Sequence, residues 1–355
     1  GPSASRRVDL STMEQSSELA VDTPRRTTQG TSATNPTYGK KCRVFMASIF
    51  MITTVVTEPL SKPRKLGDTN SVLPSLVGLM MTLSDSAGTA LDNELVHAPT
   101  YELPRQFQLL MELTASIAGS ITSVETIDQD SVLQDVERLM HAFSSFAEYL
   151  GSILRILGEN RGQQQYVKAP IQKLSQLLNQ QFKAPINKIK HEGFTLGWLS
   201  ITHDGQAPVH GFAVNGLIDR KTFGSANSRF PKAIAEGYSF SLFLRRAIET
   251  SYELCEVVDS AVRFLYRDEL CQKNISPSPQ GLIALASTIA QKLSYMPFSG
   301  FPNEHMARVP ELSIEGECLL IVRTRLLRFP KGPYSVSSQL IARQGYTFKL
   351  PYWVR

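Results

Sequence analysis

Apolar side chains recur at helical spacing across two long stretches of the chain and at alternate positions across two others. Pro104 suits a helix's first turn, and from there Phe107, Leu110, Met111, Leu113, Ile117 and Ile121 mark one face. With Asp128 or Asp130 as N-cap, a second and clearer helix follows. Its apolar residues (Val132, Val136, Leu139, Met140, Phe143, Phe146, Ala147, Leu150, Ile153, Leu154 and Leu157) keep i, i+3, i+4, i+7 spacing, and Gly158 and Asn160 stand where a C-cap belongs. The breadth of that stripe predicts burial on more than one side. Residues 231–270 repeat the pattern through Ile234, Tyr238, Phe240, Phe243, Ala247, Ile248, Tyr252, Cys255, Val258, Val262, Leu265 and Tyr266, with Gly237 as a candidate break. A further helical segment, 280–296, follows the Ser276-Pro277-Ser278-Pro279 turn.

The alternating stretches read as strands. Residues 194–202 and 209–214 flank an Asp204-Gly205 turn, and Asn215-Gly216 carries the residues of a type I′ hairpin turn, after which 217–222 returns. Residues 311–328 and 335–349 read as a closing strand pair joined by the Pro330-Lys331-Gly332-Pro333 turn. The expected fold is therefore α+β and predominantly helical. A helical N-terminal half follows a disordered arm, and the C-terminal half combines a β-meander or hairpin, long helices and the closing strand pair.

The chain has 355 residues, enough for one large or two medium domains. The expected division is a mainly helical unit over 44–190 and an α+β unit over 191–355, with the two able to pack as one. Residues 1–12 begin Gly-Pro and read as a remnant of tag cleavage ahead of Met13; a natural processing site before Gly1 is the other reading. Residues 13–43 hold Ser, Thr, Gln, Pro and Gly with almost no large apolar side chain, so they cannot bury enough area to offset the entropy of ordering. They are expected to form a flexible arm that is either inert or ordered on a neighbouring subunit. The apolar run 44–56 is too short for a membrane-spanning helix, which needs about 20 residues, and its β-branched and aromatic content suits a buried strand. A second apolar segment, 72–83, contains Pro74 and Gly78, which leave its type open. An internal echo, YVKAPIQKL at 166–174 and FKAPINKIK at 182–190, has too few copies for a solenoid.

Cys42, Cys255, Cys271 and Cys318 show no metal-binding spacing. Cys255 and Cys271, on one helical segment, would lie about 24 Å apart, far beyond disulfide reach. Scattered thiols fit a reducing, intracellular setting, cytoplasmic or within a virion. The chain lacks the phosphate-cradling GxxxxGK[ST], a GxGxxG after a strand, a GxSxG elbow and HExxH, so no familiar enzyme class and no cofactor is indicated. His191, His203, Asp204 and His210 form the one cluster with metal-ligand chemistry, which raises an unfamiliar metal-dependent hydrolase as a third reading of function. Backbone preference alone accounts for Asp-Gly at a hairpin turn, and the turn is the expected role.

The net charge of +5 is too small to imply a polyanion partner, but its distribution is uneven. Residues 85–137 hold ten acids against the single base Arg105. Residues 161–190 hold Arg161, Lys168, Lys173, Lys183, Lys188 and Lys190 with no acid. Residues 318–355 are again acid-free, with Arg323, Arg325, Arg328, Lys331, Arg343, Lys349 and Arg355. Arg220, Lys221, Arg229 and Lys232 flank the meander and the start of the long helix. Alternation along the 320–325 strand places Arg323 and Arg325 on one side. Acid-free basic stretches with interleaved aromatics suit phosphates and stacked bases; alternatively, basic faces meet acidic faces within or between copies. Together with the arm and the absence of catalytic motifs, the charge layout leads us to expect a homo-oligomeric structural protein of viral type, nucleocapsid or coat, on single-stranded RNA. The alternative is a matrix-like scaffold whose basic face meets anionic membrane or protein partners.

Overall fold

The computed structural model describes residues 63–68, 71–83, 91, 98–123, 127–179, 182, 185–187, 189, 194–203, 206–217, 222–224, 237–327, 329, 334–338 and 347–349. Residues 1–43, the 44–56 apolar run, and Lys183, Ala184, Lys188 and Lys190 of the second KAPI copy lie outside these residues.

The described chain is predominantly helical, with two sheets built mainly from its C-terminal half. Seven helices are named here in chain order: α1 (Ser75–Thr82), α2 (Pro99–Ile121), α3 (Gln129–Asn160), α4 (Gln164–Leu178), α5 (Phe240–Leu265), α6 (Arg267–Leu270) and α7 (Ile283–Tyr295). The strands are β1 (Arg64–Leu66), β2 (Thr195–His203), β3 (Val209–Leu217), β4 (Thr222–Gly224), β5 (Gly237–Ser239), β6 (Arg308–Glu315), β7 (Cys318–Leu326), β8 (Tyr334–Ser338) and β9 (Thr347–Lys349).

Helix α3 forms where the periodicity places it. Asp128 is its N-cap, the side chain accepting a hydrogen bond from the Ser131 backbone N–H at 3.2 Å. Its C-terminus closes through Gly162, whose φ of +63° lets the Gln163 N–H reach back to the Gly158 carbonyl at 2.7 Å. That tight turn launches α4 at once, so α3 and α4 pack as a helical hairpin. Helix α2 starts earlier than its sequence predicts. Pro99 occupies the first turn, and Pro104, expected there, lies inside the helix.

Helix α5 is the organising element. The sequence predicts one apolar stripe over 231–270; instead the chain forms a strand first, β5, and Ser239 then caps a helix in which nineteen residues are buried. Those nineteen include Arg245, Glu249 and Asp259, so the helix is enclosed on most sides by α1, α2, α3, α4 and both sheets. The main core runs without interruption from Leu66 through α1–α5 and α7 to Leu319 and Ile321. It therefore draws on residues either side of the 190/191 division.

The larger sheet has the order β8-β2-β3-β4-β9, with β5 also paired to β3. Its pairings are antiparallel except for β4 with β9. The Asn215-Gly216 hairpin turn does not form. Both residues continue β3, with Asn215 opposite Thr195. Gly216 is needed there for space: a Cβ would come within 2.4 Å of the Phe194 ring. The smaller sheet has the order β1-β7-β6. The two segments read as a closing pair do contain strands, but these pair elsewhere. β7 forms a tight hairpin with β6 around Gly316, whose φ is +60°, and β8 runs along β2. Glycine first in a two-residue loop is the hairpin signature that decides this pairing.

One unsatisfied group inside this fold yields a stability prediction. Tyr266 is 1% exposed, and among the described residues its hydroxyl has no hydrogen-bond partner. A buried unpaired hydroxyl costs about 1–3 kcal/mol. Tyr266→Phe is therefore expected to raise the urea midpoint, or at worst leave it unchanged; a fall would show that the hydroxyl is paired in solution.

Candidate nucleic-acid interface

The basic residues singled out by sequence fall into three groups in the structure. Lys183, Lys188, Lys190, Arg220, Lys221, Arg229, Lys232, Arg328, Lys331 and Arg343 lie outside the described residues. Arg323, Arg325 and Lys349 are placed by backbone only, in β7 and β9. Arg161, Lys168 and Lys173 are fully placed, at the α3–α4 turn and along α4.

The three fully placed cations do not behave alike. Arg161 is half-buried and already engaged. Its guanidinium forms an ion pair with Glu269, and lies 4.0 Å from the centroid of the Tyr266 ring. That arrangement ties the α3–α4 turn to the α5–α6 junction, and Glu269 neutralises the charge within the chain. Lys168 and Lys173, by contrast, are exposed on α4.

Helix α4 buries Val167, Leu174 and Leu177 on one side. Its other side is exposed and carries Gln165, Lys168, Gln172, Lys173 and Gln176 with no carboxylate. At one border of that face stands Tyr166. It meets Phe264, from the last turn of α5, with ring centroids 5.1 Å apart and planes inclined at 52°. Both rings remain about half exposed, at 51% and 46%. The Arg267 guanidinium lies 6.0 Å from the Phe264 centroid.

In the smaller sheet, the register shifts between Val309 and Pro310, which lie opposite Arg325 and Arg323. Thr324 is thus the extra residue of a bulge, at a point where Pro310 cannot donate a ladder hydrogen bond. The strict alternation that assigned Arg323 and Arg325 to one face is interrupted there.

The acidic stretch is partly neutralised internally. The Glu102 carboxylate accepts from Arg105 at 2.9 and 2.6 Å, and Asp135 accepts from Ser116 and Arg138. Glu112, Asp128 and Asp130 remain exposed.

The two described histidines of the cluster do not converge. His203 and His210 project from opposite faces of the β2–β3 hairpin. His203 packs against Phe329 and Tyr334. His210 lies against Trp198, with its Nδ1 2.8 Å from Ser200 Oγ, which also accepts a hydrogen bond from Trp198 Nε1. Burial lowers the His210 pKa and favours a neutral ring. A serine beside a neutral imidazole has the first two parts of a nucleophilic site, yet no carboxylate among the described residues bonds His210. His191 and Asp204 lie outside the described residues. Among those described, no group of three or more His, Cys, Asp and Glu side chains is placed to hold a metal ion. No helix among them is long and apolar enough to cross a membrane.

Compared with known proteins, the chain matches no family model, no curated protein and no solved structure.

Proposed function

We propose that this chain is a self-assembling structural protein of viral type, a nucleocapsid or coat protein, that coats single-stranded RNA. The observation that carries the reading is the exposed face of α4, where lysines and glutamines stand without a carboxylate. Lysines there attract phosphates irrespective of sequence, and each contact releases counterions. Glutamine amides add hydrogen bonds to phosphate, sugar or base edges without imposing a net charge. Arg161, neutralised by Glu269, contributes to the frame rather than to the surface.

The test is a titration of fluorescently labelled single-stranded RNA across a salt series. Lys168→Glu with Lys173→Glu is expected to weaken binding at least tenfold at low salt. Loss of two phosphate contacts should also flatten the plot of log affinity against log salt by about 1.4. Both side chains are exposed, so the variant keeps its fold. Unchanged affinity and slope would remove α4 from the interface. If the wild-type protein ignored RNA but bound phosphatidylserine vesicles, the matrix-like reading would replace this one.

A further inference from the structure

We infer that the Tyr166–Phe264 ring pair is a stacking platform for nucleobases of a single strand, an inference that rests on the RNA-coating reading above. Two rings from different helices stand side by side, and each keeps about half its surface in water. Among the described residues, other exposed large aromatic side chains, such as Tyr101 and Tyr295, meet no second exposed ring. An apolar surface of this kind gains most from a flat, polarisable partner. A nucleobase meets that description, and its attached phosphate needs a cation within a few ångströms.

The surroundings supply such cations. Arg267 approaches the Phe264 ring from α6. Lys173 lies seven residues beyond Tyr166, which returns it to nearly the same angular position two turns along α4. A strand running along the helix border would thus pass from Arg267, over the rings, to Lys173. Of the nearby acids, Glu269 is held by Arg161, and Asp268 pairs with Arg267 at 3.5 Å in a solvent-exposed contact weak enough for a phosphate to displace. Stacking is tolerant of sequence because every base has a π-face. That tolerance suits a coating protein, and the larger purine rings should stack better than pyrimidines.

Affinity for oligoadenylate and oligouridylate of equal length tests the platform, measured across a salt series with the full chain. Tyr166→Ala and Phe264→Ala are each expected to weaken oligoadenylate binding roughly 5- to 100-fold. The salt slope should stay the same, since no cation is removed, and the preference for adenine should shrink. Tyr166→Trp should restore both affinity and preference. Wild-type binding that the alanine variants leave intact would overturn the platform while sparing the RNA reading. Absence of wild-type binding to either oligonucleotide would overturn both. If the variants lowered the particle mass by light scattering but not RNA affinity, the rings would be a contact between copies and the platform would fall.

Discussion

Gly78→Ala will lower the stability of this protein by roughly 3 kcal/mol, although alanine is the better helix former. Gly78 lies within α1, where it is buried against the Ser276–Pro279 turn. A Cβ at this position would come 2.1 Å from the Ser276 carbonyl oxygen and 2.9 Å from the Ser278 nitrogen. Both are backbone atoms, so no side-chain rotation relieves the clash; the turn itself must withdraw. Five hydrogen bonds hold it in place. Ser278 N–H donates to Asp68 at 2.6 Å and its hydroxyl donates to the Pro74 carbonyl at 2.8 Å. Gly78 N–H donates to Ser278 Oγ, Ser276 N–H donates to Thr82 Oγ1, and the Ser71 hydroxyl donates to the Pro279 carbonyl. Helix propensity returns only about 1 kcal/mol. Gly119, in α2, has nothing within 4 Å of a built Cβ, so Gly119→Ala should raise the urea midpoint. A midpoint that Gly78→Ala leaves unchanged would mean that the turn is not docked on α1 in solution.

This contact also shows where sequence reading stops. Pro74 and Gly78 make the 72–83 segment ambiguous as a helix, because their roles are set by a turn two hundred residues away. The long helix α3 is legible because its stripe and N-cap are local; its end lies at Arg161 and Gly162, just past the Gly158 and Asn160 that the sequence suggests. Asn215-Gly216 is misleading for the converse reason. The pair has strong turn chemistry, but the Phe194 ring and the Thr195 pairing keep it in the strand. The closing strands are found as strands and misjudged in pairing. Gly316 closes a two-residue hairpin between β6 and β7, and β8 extends the larger sheet along β2.

The candidate site follows the same division. Charge counted along 161–190 puts Arg161 with the lysines, whereas Glu269, more than a hundred residues later, takes its charge. The acid-free face of α4 is nearly readable, since helical periodicity separates Val167, Leu174 and Leu177 from the polar positions. The partner of Tyr166 is not readable. Phe264 lies off the apolar stripe read over 231–270, and no local signal places its ring beside α4.

Arg245→Ala is expected to cost about 3–5 kcal/mol, the range for emptying a large buried site and stranding its partners. Arg245 is 1% exposed near the start of α5. Its guanidinium donates to the Leu293 carbonyl at 2.5 Å and to the Pro310 carbonyl at 3.2 Å, and lies 4.5 Å from the Phe298 ring centroid. One side chain thus fastens α5 to the end of α7 and to β6. The Leu293 carbonyl, in the last turn of its helix, also accepts from the Met296 N–H at 3.1 Å, so Arg245 fills the second acceptor site of that oxygen. The planar fork allows one group to serve two carbonyls from different elements, so Arg245→Lys should recover only part of the loss. Arg245→Met should also fall between wild type and alanine, because it retains the stem that packs in the core but donates nothing. The ordering of the three variants by urea midpoint separates volume from hydrogen bonding. A loss below about 1 kcal/mol for alanine would mean that water replaces the guanidinium at both carbonyls. In that case α5 is held by apolar packing alone, and the α7–β6 junction should exchange its amide hydrogens no faster in the variant than in the wild type.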